Sequence, residues 1–417
     1  MSADHLNATE AADFLGVQKA TLYAYAARGL LTSMSVPGQR QKAYARSELS
    51  RHKLRIEARS GHTGAAAALR PGAPEFDTNI TVIDPRRGPL YHGHAAVDLA
   101  RQGTTFEATA VLLWTGRLPQ EARPDFRQQA DKADKTDKTD KPDAFDPRRL
   151  VGLVEHGQLM AALEAVVFLL RRQAPGFEGP RELELRRARA IVRQMAASFA
   201  LSTDSRRHHY AAWRDDGIAV AAAYALTSRE PAADAVVAIE RALVVIADHA
   251  LNPSTCAARM AASTGADLTA CLQAGLATLS GPRHGGAFDR IEALLDVIGT
   301  PARAVDIVQE RLRQAESVPG FSHALSPEGD PRAAVLLELP RVATGEGAGT
   351  ARALIGAMHT LLGTENAAPS VELALVAMCR AFELPPGAAS ALFALGRSAG
   401  WIAHVLEQRA VDHARSA

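Results

Sequence analysis

From residue 78 onward, apolar residues recur at three- and four-residue spacing, the period of helices that bury one face. Residues 157–172 and 232–248 show this period, as do ADLTACLQAGLATL (266–279) and FDRIEALLDVIG (288–299). One segment breaks the pattern. NITVIDPRRGPLYHG (79–93) alternates apolar residues around a Pro-Arg-Arg-Gly turn and predicts a β-hairpin. No strand–helix alternation follows, so a parallel sheet is not expected and the fold class reads as all-α.

The chain before residue 78 has a different character. LNATEAADFLGV predicts a capped helix with a turn at Gly16, and QKATLYAYAARGLL a second helix ending at Gly29. VPGQRQKAYARSEL carries a Pro-Gly turn, basic residues and a third helix capped at Ser47. Together, residues 1–58 resemble the winged helix-turn-helix of the MerR/excisionase type. Eight Lys and Arg against five Asp and Glu give this zone a net charge of +3. The resemblance implies DNA contacts from Lys19, Thr21, Tyr23, Arg28, Arg40, Lys42 and Arg46. The alternative is a module used only for protein contacts. Residues 59–77, rich in Gly, Ala and Pro without periodicity, read as a linker. Inside the helical body, 130–147 (ADKADKTDKTDKPDAFDP) alternates Asp and Lys with no apolar face, and predicts a solvated loop.

At 417 residues the chain exceeds one ordinary core, and two or three domains are expected. Aromatic residues are only 5% and Ala and Leu dominate, which favours helices packed closely on small side chains. A net charge of +1 excludes a protein that coats nucleic acid along its whole length. Cys256, Cys271 and Cys379 are too sparse for a disulfide framework or a metal site, so a reducing cytoplasm and no metal are expected. There is no apolar leader at the N-terminus and no run long enough to span a membrane.

The candidate chemistry centres on SGPRHGGA (280–287), which places His284 among glycines between two helical patterns. Glycine lets a ligand approach the main chain closely. A histidine just ahead of a helix N-terminus is disfavoured as the imidazolium, so a neutral ring that donates a hydrogen bond to a developing enolate fits here. Three further segments accompany it: ADHALNPST with His249, VPGFSHALSPEGDPRA with His323, Asp330 and Arg332, and APSVELALVAM with Glu372.

In order and spacing, these segments resemble the citrate synthase family over nearly all of 78–408. ITVIDPRRGPLYHG followed by FEATAVLLWTGRLP resembles that family's opening hairpin and first helix, and LFALGRSAGWIAHVLEQ its C-terminal helix. The resemblance implies condensation of acetyl-CoA with oxaloacetate to citrate and CoA, by an acyltransferase that converts the acyl group into alkyl on transfer. Three His, a carboxylate and several Arg form the inventory this chemistry needs. Carried over by motif, His284 stabilises the enol, Glu372 is the base and His323 polarises the oxaloacetate ketone. His249, Arg332 and Arg397 bind oxaloacetate, Arg332 nine residues after His323. The resemblance also implies a large and a small helical domain, the latter at roughly 285–371, a homodimer or higher homo-oligomer, and no cofactor beyond acetyl-CoA as substrate.

The chain departs from the family in several places. Glu372 stands where an aspartate is usual, Phe288 where Asn is usual, Ala250 where bacterial members have Glu, and His92 where Arg is usual. Arg415 is the sole candidate for the late Arg that reaches a neighbouring subunit's site. Two other functions stay open: a catalytically weak, metabolite-sensing DNA-binding regulator, and a 2-methylcitrate synthase using propionyl-CoA.

Overall fold

A computed structural model gives the fold. It describes residues 5–15, 33–35, 42–45, 78–126, 154–155, 157–173, 180–203, 217–227, 229–321, 329–364 and 367–416, with residues 19, 22, 26, 31 and 49. The chain forms two compact units, 1–73 and 74–417.

In the first unit, β1 (His5–Asn7) leads into α1 (Ala8–Leu15), and β2 (Ser33–Ser35) and β3 (Lys42–Ala45) follow. The strands form an antiparallel sheet in the order β1-β3-β2. Asn7 Oδ1 accepts from the Thr9 and Glu10 amides, while the Asn7 amide donates to Glu10 Oε2 at 2.9 Å. This reciprocal capping box starts the helix expected here. Ala11, Ala12, Leu15, Leu22, Leu31, Tyr44 and Leu49 share one small core. Reading this zone as helical overlooked the sheet, because strands of three or four residues are too short for alternation to show. Lys19 and Lys42 are exposed. Thr21, Tyr23, Arg28, Arg40 and Arg46 lie outside the described residues, as do the expected linker and the 130–147 segment.

The second unit opens with the expected hairpin, β4 (Thr81–Asp84) and β5 (Gly88–Tyr91), to which β6 (His94–Ala95) adds a third antiparallel strand. The fold is therefore mostly helical rather than purely so. Helices follow in the order α2 (Ala96–Arg101), α3 (Phe106–Thr115), α4 (Leu159–Gln173), α5 (Arg181–Ser198), α6 (Ile218–Leu226) and α7 (Ala233–Ile246). Then come α8 (Pro253–Ser263), α9 (Leu268–Leu279), α10 (Ala287–Ile298), α11 (Ala304–Arg313), α12 (Pro331–Leu337) and α13 (Pro340–Thr344). The last three are α14 (Gly349–Leu362), α15 (Val371–Ala381) and α16 (Ala388–Ser416). The FEATAVLLWT helix is thus α3, preceded by the short α2. The last helix runs past 408 to Ser416.

Helix starts are written into the sequence. Thr105, Asn252, Asp267 and Ser370 each accept an amide of the first turn of α3, α8, α9 and α15. α16 forms the spine of the unit, packing on α3, α7, α8, α9 and α15. Its Trp401 lies against α9 where a Cβ on Gly275 would sit 2.9 Å from the indole. Ala and Leu fill most of this core, so the helices approach closely. Among the described residues no helix is long and apolar enough to cross a membrane.

Candidate active site

α7 ends at Ile246, and the chain turns sharply through Asp248, His249 and Ala250 before α8. Ala250 has φ 51°, a left-handed conformation that strains any residue with a Cβ. Asp248 holds the turn: its Oδ2 accepts from the Ala250 amide at 3.2 Å and lies 3.1 Å from His404 Nε2. Burial alone would raise the Asp248 carboxyl, but His404, Arg397 and Thr81 hold it below the usual carboxylate range. The Asp248 amide donates to Tyr91 Oη at 3.2 Å, and the phenol donates on to the Val244 carbonyl at 3.1 Å. α16 seats this turn from the other side. A Cβ on Gly396 would lie 2.6 Å from Ile246 Cγ1, and one on Gly400 2.6 Å from the Ala247 carbonyl, so only glycine permits the approach. His249 is buried at the centre of this turn.

His284 lies in the turn between α9 and α10, as its glycine setting predicts. A side chain at Gly285 would collide with the Leu279 carbonyl, so the turn is folded tightly onto the end of α9. His284 Nε2 sits 2.9 Å from Ser254 Oγ. Ser254, buried in the first turn of α8, also receives the Trp401 indole N–H at 3.2 Å and donates to Asn252 Oδ1 at 2.8 Å. α8, the His284 turn and α16 thus meet at one hydroxyl.

The two arginines occupy the adjoining region. Arg332, in the first turn of α12, is 2% exposed and forms a two-pronged pair with Asp330: Nε to Oδ1 at 3.0 Å and Nη2 to Oδ2 at 2.7 Å. Burial would lower its proton affinity, but Asp330, and beyond it Glu372 and Tyr91, raise it. Arg397, on α16, is 1% exposed. Its Nε donates to the Ile246 carbonyl at 3.1 Å and its guanidinium lies over the Phe393 ring, 4.7 Å from the centroid. Among the described residues no carboxylate lies within ion-pair distance of it. Burial pushes its pKa down to about 10, with the Arg332 charge acting in the same sense and Asp248, Tyr91 and Glu372 opposing. Glu372, in the first turn of α15 and partly buried, thus contributes negative charge to the surroundings of both guanidiniums.

His323 lies outside the described residues. Its flanks are placed: Phe321 bridges Pro369, and the Ser370 amide donates to the Gly320 carbonyl at 2.8 Å. On the far side, a Cβ on Gly329 would lie 3.0 Å from Ala368 Cβ. Both ends of the His323 segment thus meet the strip of chain that leads into the Glu372 helix. The structure also exposes parts that the sequence reading gave no role: Ser254, Trp401, Asp330 and Tyr91. Asn-Pro-Ser-Thr at 252–255 reads locally as a helix cap, and nothing local announces that Ser254 faces a histidine thirty positions on. Among the described residues no group of three or more His, Cys, Asp or Glu could hold a metal ion.

Chemically, the arrangement pairs two buried cations with a carboxylate and a histidine on a tight glycine turn. That suits a small dianion beside a group undergoing proton transfer. Comparison with known proteins identifies the family. The family described as "Citrate synthase, C-terminal domain" matches residues 71–415. The chain is 32% identical to the citrate synthase of Haloferax volcanii, over 80% of this chain and 89% of that one. It is 29% identical to citrate synthase 2 of Bacillus subtilis, over 76% and 86%. Among solved structures it resembles citrate synthase from Pyrobaculum aerophilum, with TM-score 0.61, 27% identity and coverage of 80% and 87%. It also shares the fold of the Thermoplasma acidophilum enzyme in its ternary complex with carboxymethyl coenzyme A and oxaloacetate, with TM-score 0.65, 24% identity and coverage of 81% and 90%. With the family's model matched over residues 71–415 and a relative 32% identical over 80% of the chain, this chain belongs to the citrate synthase family.

Proposed function

We propose that the protein is a working citrate synthase that condenses acetyl-CoA with oxaloacetate. The observation that carries this reading is Arg397, a buried guanidinium held by a carbonyl and an aromatic face beside the Asp330-paired Arg332. A buried cation with no carboxylate partner among the described residues is costly unless a ligand supplies the anion. Oxaloacetate supplies two. In this reading Arg397 and Arg332 take its carboxylates and His249 supports it.

Glu372 removes a proton from the acetyl methyl group, and His284 donates to the thioester oxygen as the enol forms. The enol carbon then attacks the oxaloacetate ketone carbon, whose oxygen His323 polarises and protonates. Water cleaves the resulting thioester, releasing citrate and CoA thiol. Closure of a smaller helical region, roughly 285–371, over the rest would keep water from the enol.

A homodimer fits this family reading. The first unit serves as a winged helix-turn-helix in the same proposal, supported by its Asn7-capped helix and by the antiparallel pairing of β2 with β3. The test of the enzyme is release of CoA thiol from a panel of acyl-CoAs and oxoacids. Acetyl-CoA with oxaloacetate should give the highest kcat/KM. Faster turnover of propionyl-CoA would reassign the chain to 2-methylcitrate synthesis, and no release with any pair would remove the enzyme reading.

A further inference from the structure

Arg397 and Phe393 are four residues apart on α16, and helical side chains lean toward the N-terminus. The guanidinium therefore folds back over the ring of the preceding turn, 4.7 Å from its centroid. Its other fixed point is the Ile246 carbonyl. The plane of the Phe393 ring thus helps decide where the charge points. That ring is in turn bordered by Phe288, which is 2% exposed on the first turn of α10; the two centroids are 5.3 Å apart and the planes inclined at 57°. A tilted aromatic pair of this kind has a preferred geometry and resists rotation of either ring. The series Phe288–Phe393–Arg397 runs from the helix that follows the His284 turn to the arginine that receives substrate.

We infer that Phe288 is a positioning residue for Arg397: it fixes the Phe393 ring and, through it, the guanidinium that binds a carboxylate of the oxoacid. This rests on the assignment of Arg397 to oxaloacetate made above. Phe288 touches neither substrate nor reacting atoms in this role. Its effect belongs to oxoacid affinity, although it lies only four residues beyond His284.

The test uses the full chain and two readouts, the oxaloacetate Kd by calorimetry and steady-state kcat by thiol release. Phe288→Leu keeps an apolar side chain but removes the ring. It should weaken oxaloacetate roughly three- to tenfold, the range expected for loosening one cation–π platform, with kcat at saturation held within about twofold. Phe288→Tyr, which restores a ring, should recover most of that affinity. In an Arg397→Ala background, Phe288→Leu should weaken binding no further.

A fall in kcat at unchanged Kd would place the effect of Phe288 on the His284 turn and overturn the inference. So would an undiminished loss of affinity in the Arg397→Ala background. If Phe288→Leu does not fold, Phe288→Met with the same readouts decides. A wild-type chain that binds oxaloacetate without condensing it would remove the enzyme reading and leave this test intact. One that does not bind oxaloacetate would overturn both.

Discussion

Ser254 stands between His284 and Asn252 with one proton to give: His284 Nε2 is 2.9 Å from its Oγ and Asn252 Oδ1 is 2.8 Å away. The Trp401 indole can only donate, so it occupies a lone pair of the hydroxyl. When the Ser254 proton goes to Asn252, the imidazole must carry hydrogen on Nε2. When it turns to His284, the neutral ring carries hydrogen on Nδ1. The orientation of this hydroxyl thus sets the donor pattern of His284.

Two substitutions separate this control from mere packing. Ser254→Ala should lower kcat about 10- to 100-fold with little change in the oxaloacetate KM, because only the donor to the enol is disturbed. Asn252→Asp keeps the helix cap but offers a stronger acceptor, and should lower kcat in the same way. An Asn252→Asp enzyme with normal kcat would show that the hydroxyl does not govern the ring.

Glu372 is longer by one methylene than the aspartate usual in the family. Condensation should therefore be detectable but slow, since displacement of a base by about 1 Å can cost about 100-fold. Glu372→Asp should hold or raise kcat and Glu372→Gln should abolish it. Normal turnover by Glu372→Gln would mean that the base lies elsewhere.

Arg332→Ala and Arg397→Ala should raise the oxaloacetate KM before they touch kcat, whereas His284→Ala should do the opposite. Asp330→Ala differs from Arg397→Ala, and Arg332→Ala shares the difference because it leaves Asp330 buried without the same partner. Asp330→Ala leaves Arg332 buried without its two-pronged partner, an uncompensated charge that costs about 3–5 kcal/mol, so a marked drop in melting temperature should accompany the loss of affinity. Unfolding curves of the four variants, compared with their KM values, distinguish the roles.

A pH effect on stability is expected from Glu240, whose Oε1 accepts the Phe106 amide at the start of α3 at 2.6 Å. Glu107, on α3, does the same for the Ile218 amide at the start of α6, at 2.7 Å. Burial first, and then the neighbouring Glu107, push the Glu240 carboxyl up to about 7 from the ordinary 4.5, against the Phe106 amide and Arg123. Between those values the folded chain keeps a proton that the unfolded chain has lost. The group's contribution to stability is therefore complete below about pH 4.5 and is lost as pH rises through about 7. The melting temperature of the wild type minus that of Glu240→Gln should fall between about pH 5 and about pH 8. A difference that is constant across that range would be the contrary result.

If the first unit binds DNA, its modest charge makes it depend on pairing through the body. The full chain should then retain duplex DNA at low salt, lose it steeply as salt rises, and bind far more tightly than residues 1–58 alone. Lys19→Ala and Lys42→Ala should each reduce the salt dependence. Equal, weak retention of the fragment and the full chain would argue for a protein-contact module instead.

The sequence disclosed most where local pattern and chemistry coincide. The helices either side of SGPRHGGA appear where the spacing put them, as α9 and α10, because each is amphipathic and closed by glycine or a cap. β6 and α2 escaped notice because two and six residues carry too little periodicity. The site residues were recognisable as types, yet their supports were not. Ser254 finds His284, and Phe393 finds Phe288, only because α16 brings distant segments together. Asp330 was visible beside Arg332 but carried no role; it accepts the Arg332 amide as well as the guanidinium.

Along α16, Arg397, Trp401, His404 and Gln408 are spaced four, three and four residues apart and so lie on one stripe of the helix. They reach the Ile246 carbonyl, Ser254, Asp248 and Arg259 in turn. Deleting or inserting a single residue between Arg397 and Trp401 would rotate everything downstream by about 100° and shift it along the axis by about 1.5 Å. Three of the four contacts would be lost together. The outward-facing Ala410 can change its side chain at little cost, but the residue count of this helix cannot drift. Natural variation in the C-terminal helix should therefore take the form of substitution, with length changes confined to the segment beyond Gln408.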